Sequence, residues 1–304
     1  MDEITKFLVR KTNHPTFPLL YCNQLQTMLR FISIFLLVLS FSRSWAGKID
    51  TLSIYSTAMK KEMKAIVIKP LAPPPPQGYP VVYLLHGMGG TYNLWITKVP
   101  ELQDAADRYG CMVVCPDGGK MTLYFDNPLD PGYRFESHFI KELIPYVETH
   151  FPASKDRRFR AVAGLSMGGF GAFFMAGKYP ELFSSAGSMS GALNTDKIAR
   201  AILAKSGENP ADSSCCSINW ENLRKHNLSD SLSEQKLALT LECGLDDYLL
   251  PANREMRKKL LELNIAHEYS ERPGRHDWNY WKNAIDYQLL FFRKRWDLEL
   301  LVSN

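Results

Sequence analysis

The stretch RFRAVAGLSMGGFGAFFMAGKYP, residues 158–180, sets a serine between glycines directly after a short run of alanine and β-branched residues. Arg160 to Leu165 reads as a buried strand, and the apolar, alanine-rich segment from Phe170 to Lys178 reads as a helix. Between them Gly164-Leu165-Ser166-Met167-Gly168 fits G-x-S-x-G, a pattern that requires strand, tight turn and helix in that order. In such a turn the serine backbone is strained so that its hydroxyl projects clear of the sheet, and side chains two residues to either side would collide with neighbouring elements. Gly164 and Gly168 remove those side chains. A glycine-rich turn before a helix is also an ordinary structural device, so the rest of the chain has to supply the partners of a reactive hydroxyl.

A serine hydroxyl is a poor nucleophile at neutral pH unless a histidine takes its proton, and that histidine must be oriented by a carboxylate. After a serine of this kind the chain order is acid, then histidine. Three histidines follow Ser166: His226 precedes any suitable acid, His267 reads as mid-strand in NIAHEYS (264–270), and His276 lies in the loop after that strand. The acid belongs after the apolar run from Leu237 to Cys243, where Gly244-Leu245-Asp246-Asp247 offers two aspartates. Spacing does not choose between them, and one is suited to capping a helix or bonding the loop backbone. Attack on an ester also needs N–H donors for the oxyanion. The run YLLHGMGGTYNLW (83–95) ends a strand in a His-Gly loop, so the expected donors are the backbone N–H groups of Met88 and Met167. The side chain of His86 reads as an internally bonded loop histidine.

At 304 residues and 45% hydrophobic content the chain can bury the core of one large α/β domain or two small ones. Of the net charge of +4, residues 1–46 supply +3, with five Lys/Arg against two Asp/Glu, leaving +1 for the remainder. No basic patch with interleaved aromatics is present, so nucleic acid is not an expected partner. The segment MLRFISIFLLVLSFSRSWAGKID (28–50) has a basic start at Arg30, an apolar core from Phe31 to Phe41 and the small-residue pattern Ser44-Trp45-Ala46 of a signal-peptidase site. That core is too short for a membrane span. The expectation is a true start at Met28, cleavage near Ala46 and export of residues 47–304 as one domain. Five cysteines remain there: Cys111, Cys115, Cys215, Cys216 and Cys243. An odd count without C-x-x-C spacing argues against a disulfide framework and a structural zinc site. Cys111, Cys115 and Cys243 read as buried thiols, while the state of Cys215 and Cys216 stays open.

Alternation in KIDTLSIYST (48–57) and KEMKAIVIKP (61–70) predicts a strand hairpin ahead of the proline tract PLAPPPPQGYP (70–80), an extended surface loop. Short continuously apolar runs follow at 81–85, 111–115, 159–165, 184–189 and 237–243, as expected of parallel strands covered on both faces. Helical patterns lie between them at 102–109, 135–150, 169–178 and 252–264, which predicts a doubly wound, mostly parallel sheet. The polar segment 191–233 reads as an insertion or lid over the C-terminal edge of the sheet. Trp95, Tyr124, Trp278 and Trp281 are able to stack on a sugar or a phenolic acyl group, but read more simply as core.

Together YLLHGMGG (83–90), GLSMGGFGAF (164–173), ECGLDDYLLPANREM (242–256) and RPGRHDWNYW (272–281) resemble the esterase family of α/β-hydrolases that includes S-formylglutathione hydrolase, tributyrin-type esterases, feruloyl and cinnamoyl esterases and the mycolyltransferases. The resemblance runs from about Ile49 to Trp296. It implies the α/β-hydrolase fold, with Ser166 as nucleophile, His276 as general base, and Met88 and Met167 as oxyanion donors. It implies Asp247 as the acid, because the family's aspartate directly precedes an aromatic-Leu dipeptide, here Tyr248-Leu249. It implies neither metal nor organic cofactor. The expected function is a secreted serine carboxylesterase acting on acyl, acetyl or feruloyl esters, small or linked to plant polysaccharide. The alternatives are an S-formylglutathione hydrolase-like thioesterase and a carbohydrate-binding protein on a dead hydrolase fold. Export favours the first, since glutathione conjugates belong to the cytosol.

Overall fold

Runs that are apolar at every position have to be covered on both faces, and in this chain they become the central strands of one sheet. A computed structural model describes residues 48–127, 130–193, 217–227 and 237–302. Eight strands lie among them: β1 (Lys48–Ser56), β2 (Lys61–Lys69), β3 (Val81–Leu85), β4 (Met112–Pro116), β5 (Arg160–Leu165), β6 (Ser185–Met189), β7 (Ala238–Gly244) and β8 (Glu268–Arg272). Their order across the sheet is β1-β2-β4-β3-β5-β6-β7-β8. The hairpin β1/β2 and the pair β2/β4 are antiparallel, and every later neighbour is parallel. The sheet is therefore mostly parallel, as the sequence predicts. The strand expected around His267 begins after it: β8 starts at Glu268, so His267 stands just outside it, with its Nδ1 on the Ile265 carbonyl at 2.8 Å. The residues Asn264 to Ala266 turn the chain out of the preceding helix before extended pairing starts.

Among the described residues the helices are α1 (Leu94–Lys98), α2 (Leu102–Tyr109), α3 (Phe135–His138), α4 (Ile144–His150), α5 (Met167–Lys178), α6 (Trp220–Asn227), α7 (Leu250–Glu262) and α8 (Trp278–Val302). A π-helical turn, Phe139–Leu143, joins α3 to α4 just ahead of Pro145, which has no N–H to continue the i→i−4 ladder. Strand side chains alternate between two cores. Val81, Tyr83 and Leu85 of β3 pack with Phe139, Phe170, Phe173 and Met256 on one face, whereas Val82 and Leu84 pack with Trp95, Leu102, Ile285 and Phe292 on the other. The expected thiols Cys111, Cys115 and Cys243 are buried and free. The proline tract is a mostly exposed loop. Of the segment expected as an insertion, α6 packs on α5 through buried Leu223, and Ala192 donates its N–H to the Ser166 carbonyl at 3.0 Å. The rest of it, Cys215, Cys216 and the expected leader 1–46 lie outside the described residues.

The register pairs Leu85 with Gly164 and Leu165 with Met189, so β3, β5 and β6 leave the sheet side by side. Helix α5 starts at Met167, three residues earlier than its apolar run suggests, and from Met167 to Gly177 it is buried throughout. Such a helix can enter the sheet edge only if backbones touch. A Cβ on Gly164 would stand 2.4 Å from the Gly168 carbonyl carbon, and one on Gly168 would stand 2.5 Å from the Leu85 oxygen. Both approaches are closer than any side chain permits. Gly168→Ala should therefore destabilise the fold by about 2–3 kcal/mol through overpacking against β3. A urea unfolding curve followed by far-UV circular dichroism checks this, and an unchanged midpoint would show that the turn opens without cost.

Candidate active site

Ser166 occupies the turn between β5 and α5 with φ +53° and ψ −115°, a conformation unfavourable for a residue with a Cβ. The crowding of Gly164 and Gly168 leaves the chain no wider path. Its Oγ lies 3.0 Å from His276 Nε2, and His276 Nδ1 lies 2.9 and 3.1 Å from the two carboxylate oxygens of Asp247. The serine and histidine are 110 residues apart in sequence and the histidine and aspartate 29, so the contacts depend on how the loops are held.

Two loops hold them. After β7, Leu245 and Asp246 donate their N–H groups to the carbonyls of Arg272 and Gly274, each at 2.9 Å, which clamps the aspartate turn onto the loop that carries His276. Below the clamp, Arg272 pairs with the buried carboxylate of Glu242, which also accepts a 2.7 Å bond from Gln288 Nε2. Of the two aspartates, Asp246 faces solvent and Asp247 is buried with its carboxylate turned to the histidine. Burial works to raise the Asp247 pKa, but bonds from His276 and from the Leu249 N–H at 2.8 Å outweigh it, and the carboxyl stays below its ordinary value. It is therefore an anion at neutral pH, able to hold one tautomer of the imidazole with Nε2 toward the serine.

The His-Gly loop after β3 runs alongside. A Cβ on Gly87 would stand 3.4 Å from the Ser166 Cβ, so the loop that carries the Met88 peptide runs beside the serine. Met167 is the first residue of α5, where backbone N–H groups lack helical acceptors and the helix dipole is positive. His86 is buried and accepts a bond from the Gly118 N–H on Nε2 at 2.8 Å, so its Nδ1 donates to the Gly87 carbonyl at 2.8 Å. Burial depresses its pKa, in keeping with a neutral ring whose two nitrogens are both used to fasten the loop.

Trp95 and Tyr124 are buried, Trp95 donating to the Leu85 carbonyl at 3.2 Å and Tyr124 to that of His86 at 3.1 Å. Trp95, Trp278, Trp281 and His276 form a chain of edge-to-face contacts with centroid separations of 5.3, 5.3 and 4.9 Å. These aromatics link the His-Gly loop to the histidine loop through the core. Sequence reasoning passed over Tyr248, whose ring stands 4.5 Å from the His276 ring. The only signal for it was its place directly after the acid. A groove of about 1000 Å³ lies beyond the histidine loop, between α2 and α8, and none of Ser166, His276 and Asp247 lines it.

A family model, Esterase, described as "Putative esterase", matches residues 56–292. The chain belongs to this family of the α/β-hydrolase fold. The esterase is 27% identical over 252 residues to the acetyl esterase of Caldicellulosiruptor saccharolyticus, a match that covers 77% of this chain and 94% of the relative. A solved ferulic acid esterase superposes with a TM-score of 0.66 at 28% identity, covering 83% of this chain and all of the other. The substrate-bound fluorophosphonate-binding serine hydrolase F of Staphylococcus aureus gives a TM-score of 0.71 at 22% identity over 82% and 99% of the two chains, a likeness of fold. Among the described residues, no helix is long and apolar enough to cross a membrane.

Since only Asp247 reaches the imidazole, Asp247→Asn should lower ester turnover by about 10³ to 10⁴-fold through loss of the required tautomer. Asp246→Asn should leave turnover within about twofold, as expected of a surface substitution. Steady-state rates on one ester check the pair, and equal losses would reject the assignment of the acid.

Proposed function

We propose that the esterase hydrolyses carboxylic esters through an acyl-enzyme on Ser166, with His276 as general base and acid and Asp247 as its orienting carboxylate. The observation that carries the reading is the unbroken hydrogen-bonded line from Ser166 Oγ through His276 to Asp247. In the first half-reaction Ser166 Oγ bonds to the ester carbonyl carbon as its proton passes to His276 Nε2. The carbonyl oxygen becomes an oxyanion facing the N–H groups of Met88 and Met167. Collapse breaks the bond to the alcohol oxygen, which leaves with the proton from His276. Water then attacks the acyl-enzyme, gives its proton to the same nitrogen and releases the acid, and the proton returns to Ser166. The buried Asp247 anion stabilises the imidazolium formed in each half, and no step calls for a metal or an organic cofactor.

The substrates we infer are acetyl or feruloyl esters carried by plant polysaccharide. Similarity to an acetyl esterase over nearly its whole length and to a ferulic acid esterase supports the acyl classes. The place of action follows from the sequence of residues 28–46, whose basic start, short apolar core and small residues before Gly47 fit an export signal. An exported enzyme meets polymeric or dietary esters and not glutathione conjugates.

Ser166→Ala should cut hydrolysis of 4-nitrophenyl acetate and methyl ferulate by about 10⁴-fold or more. The fold should persist, because a smaller side chain adds no strain at this turn. Residual activity within about tenfold of wild type would sink the assignment, since loss of a true nucleophile removes far more. Location is checked by N-terminal sequencing of protein from the native host. A start at or near Gly47 is expected, and an intact Met1 in the cytoplasm would favour a thioesterase of the S-formylglutathione hydrolase kind.

A further inference from the structure

Tyr248 sits between the buried Asp247 and Leu249, whose N–H is bonded to the Asp247 carboxylate, so its backbone is fixed by the same contacts that hold the histidine. Its ring is 71% exposed, the most open aromatic side chain among the described residues. The imidazole of His276 has two other aromatic neighbours of different character: Trp281, edge-to-face at 4.9 Å and 6% exposed, and Tyr248, tilted at 53° and 4.5 Å. Trp281 belongs to the core and supports the histidine. Tyr248 presents an apolar face to solvent beside the imidazole. The other exposed aromatics stand elsewhere: Tyr55 is on the outermost strand β1, and Tyr287 is stacked on the Arg272 guanidinium at 4.0 Å.

The chemistry of acyl transfer says which half of a substrate meets that face. His276 Nε2 has to give its proton to the departing alcohol oxygen, so this oxygen comes within hydrogen-bond reach of the imidazole, roughly 3 Å. The carbonyl oxygen points instead toward the Met88 and Met167 peptides, and the acyl chain extends from the carbon between. Whatever is attached to the alcohol oxygen therefore lies over the histidine and against its solvent-side neighbour. We propose that Tyr248 is the alcohol-side specificity residue, a stacking platform for the pentose or hexose ring that carries the ester. The inference rests on the hydrolase reading above. A flat phenol ring carried at this place by a hydrogen-bonded turn suits the C–H face of a sugar. A methyl or ethyl alcohol is too small to reach it.

The test uses the whole enzyme and two acyl groups, each on a small alcohol and on a pentose: ethyl acetate against acetylated xylose, and methyl ferulate against feruloyl arabinose. Tyr248→Ala should lower kcat/KM on the pentose ester by about tenfold, mainly through KM, the factor carried by one ring-stacking contact of ordinary strength. On the small-alcohol ester of the same acyl group it should stay within about threefold of wild type, as a surface substitution that touches no part of that substrate. Tyr248→Phe should keep the pentose preference, because the ring face and not the hydroxyl does the binding. The pH profile of kcat/KM on the small-alcohol ester should be unmoved in both variants. Equal losses on both alcohols, or a displaced pH profile, would show that Tyr248 acts by steering His276 and would overturn the proposal. So would an unchanged pentose rate in Tyr248→Ala, or a wild-type enzyme with no preference for the pentose ester, and either result leaves the hydrolase reading standing. A wild-type enzyme that cleaves none of the four esters would remove that reading and the platform with it.

Discussion

The contact on which the site depends is the approach of three backbones: the end of β5, the first turn of α5 and the end of β3. Without side chains at Gly164 and Gly168 these segments meet at distances that a Cβ would reduce to 2.4 and 2.5 Å. From that approach the other features follow in order. The chain reverses so tightly that Ser166 takes a positive φ, its hydroxyl clears the sheet edge, and the amide end of α5 comes next to it. The same closeness sets Gly87, and with it the His-Gly loop, beside the serine. A strained turn persists only where its surroundings over-determine it, and here a helix buried from Met167 to Gly177 and two parallel strands do so.

The second constraint lies at the far side of the serine and is electrostatic. A carboxylate buried as deeply as Asp247 would ordinarily rise in pKa and lose its charge. It remains an anion because each oxygen has a donor: the Leu249 peptide on one, the imidazole on both. The charge is thus tied to the position of the histidine, and the histidine loop is tied to the aspartate turn by backbone hydrogen bonds from Leu245 and Asp246 to the Arg272 and Gly274 carbonyls. Moving either loop would leave a buried charge unpaired, at a cost of several kcal/mol. The geometry that suits proton transfer is also the arrangement that satisfies this charge.

The aromatic chain gives the two halves of the site a common support. Trp95 is anchored to the Leu85 carbonyl, at the point where the His-Gly loop begins, and its contacts lead through Trp278 and Trp281 to His276. Rings packed edge to face, with Trp95 and Trp281 buried and Trp278 half-buried, resist small displacements. The loop after β3 and the loop after β8 are therefore braced against one core on the side away from solvent, while Tyr248 is left open on the other approach to the imidazole.

The sequence by itself determined the strands, the mostly parallel character of the sheet and the serine turn, because all of these follow from local pattern, whereas the order of the strands across the sheet came only from the tertiary structure. Continuous apolar runs of five to seven residues have few other fates, and glycines spaced around a serine after such a run remove side chains for a reason. Where pattern was weak the reading was short: α1 has only five residues, α5 begins among glycines that hide its period, and β8 starts beyond His267 because the helix exit takes up the residues before it. The tertiary structure decided what adjacency along the chain leaves open. Asp246 and Asp247 have the same chemistry and nearly the same spacing from every partner; only the backbone hydrogen bonds of the turn to Arg272 and Gly274 send one to water and the other to the imidazole. In the same way the sequence shows four aromatics near the site and a tyrosine after the acid, but burial alone separates those that brace the histidine from the one that faces the solvent. Burial depends on every element packed around a residue at once, and no local pattern carries that information.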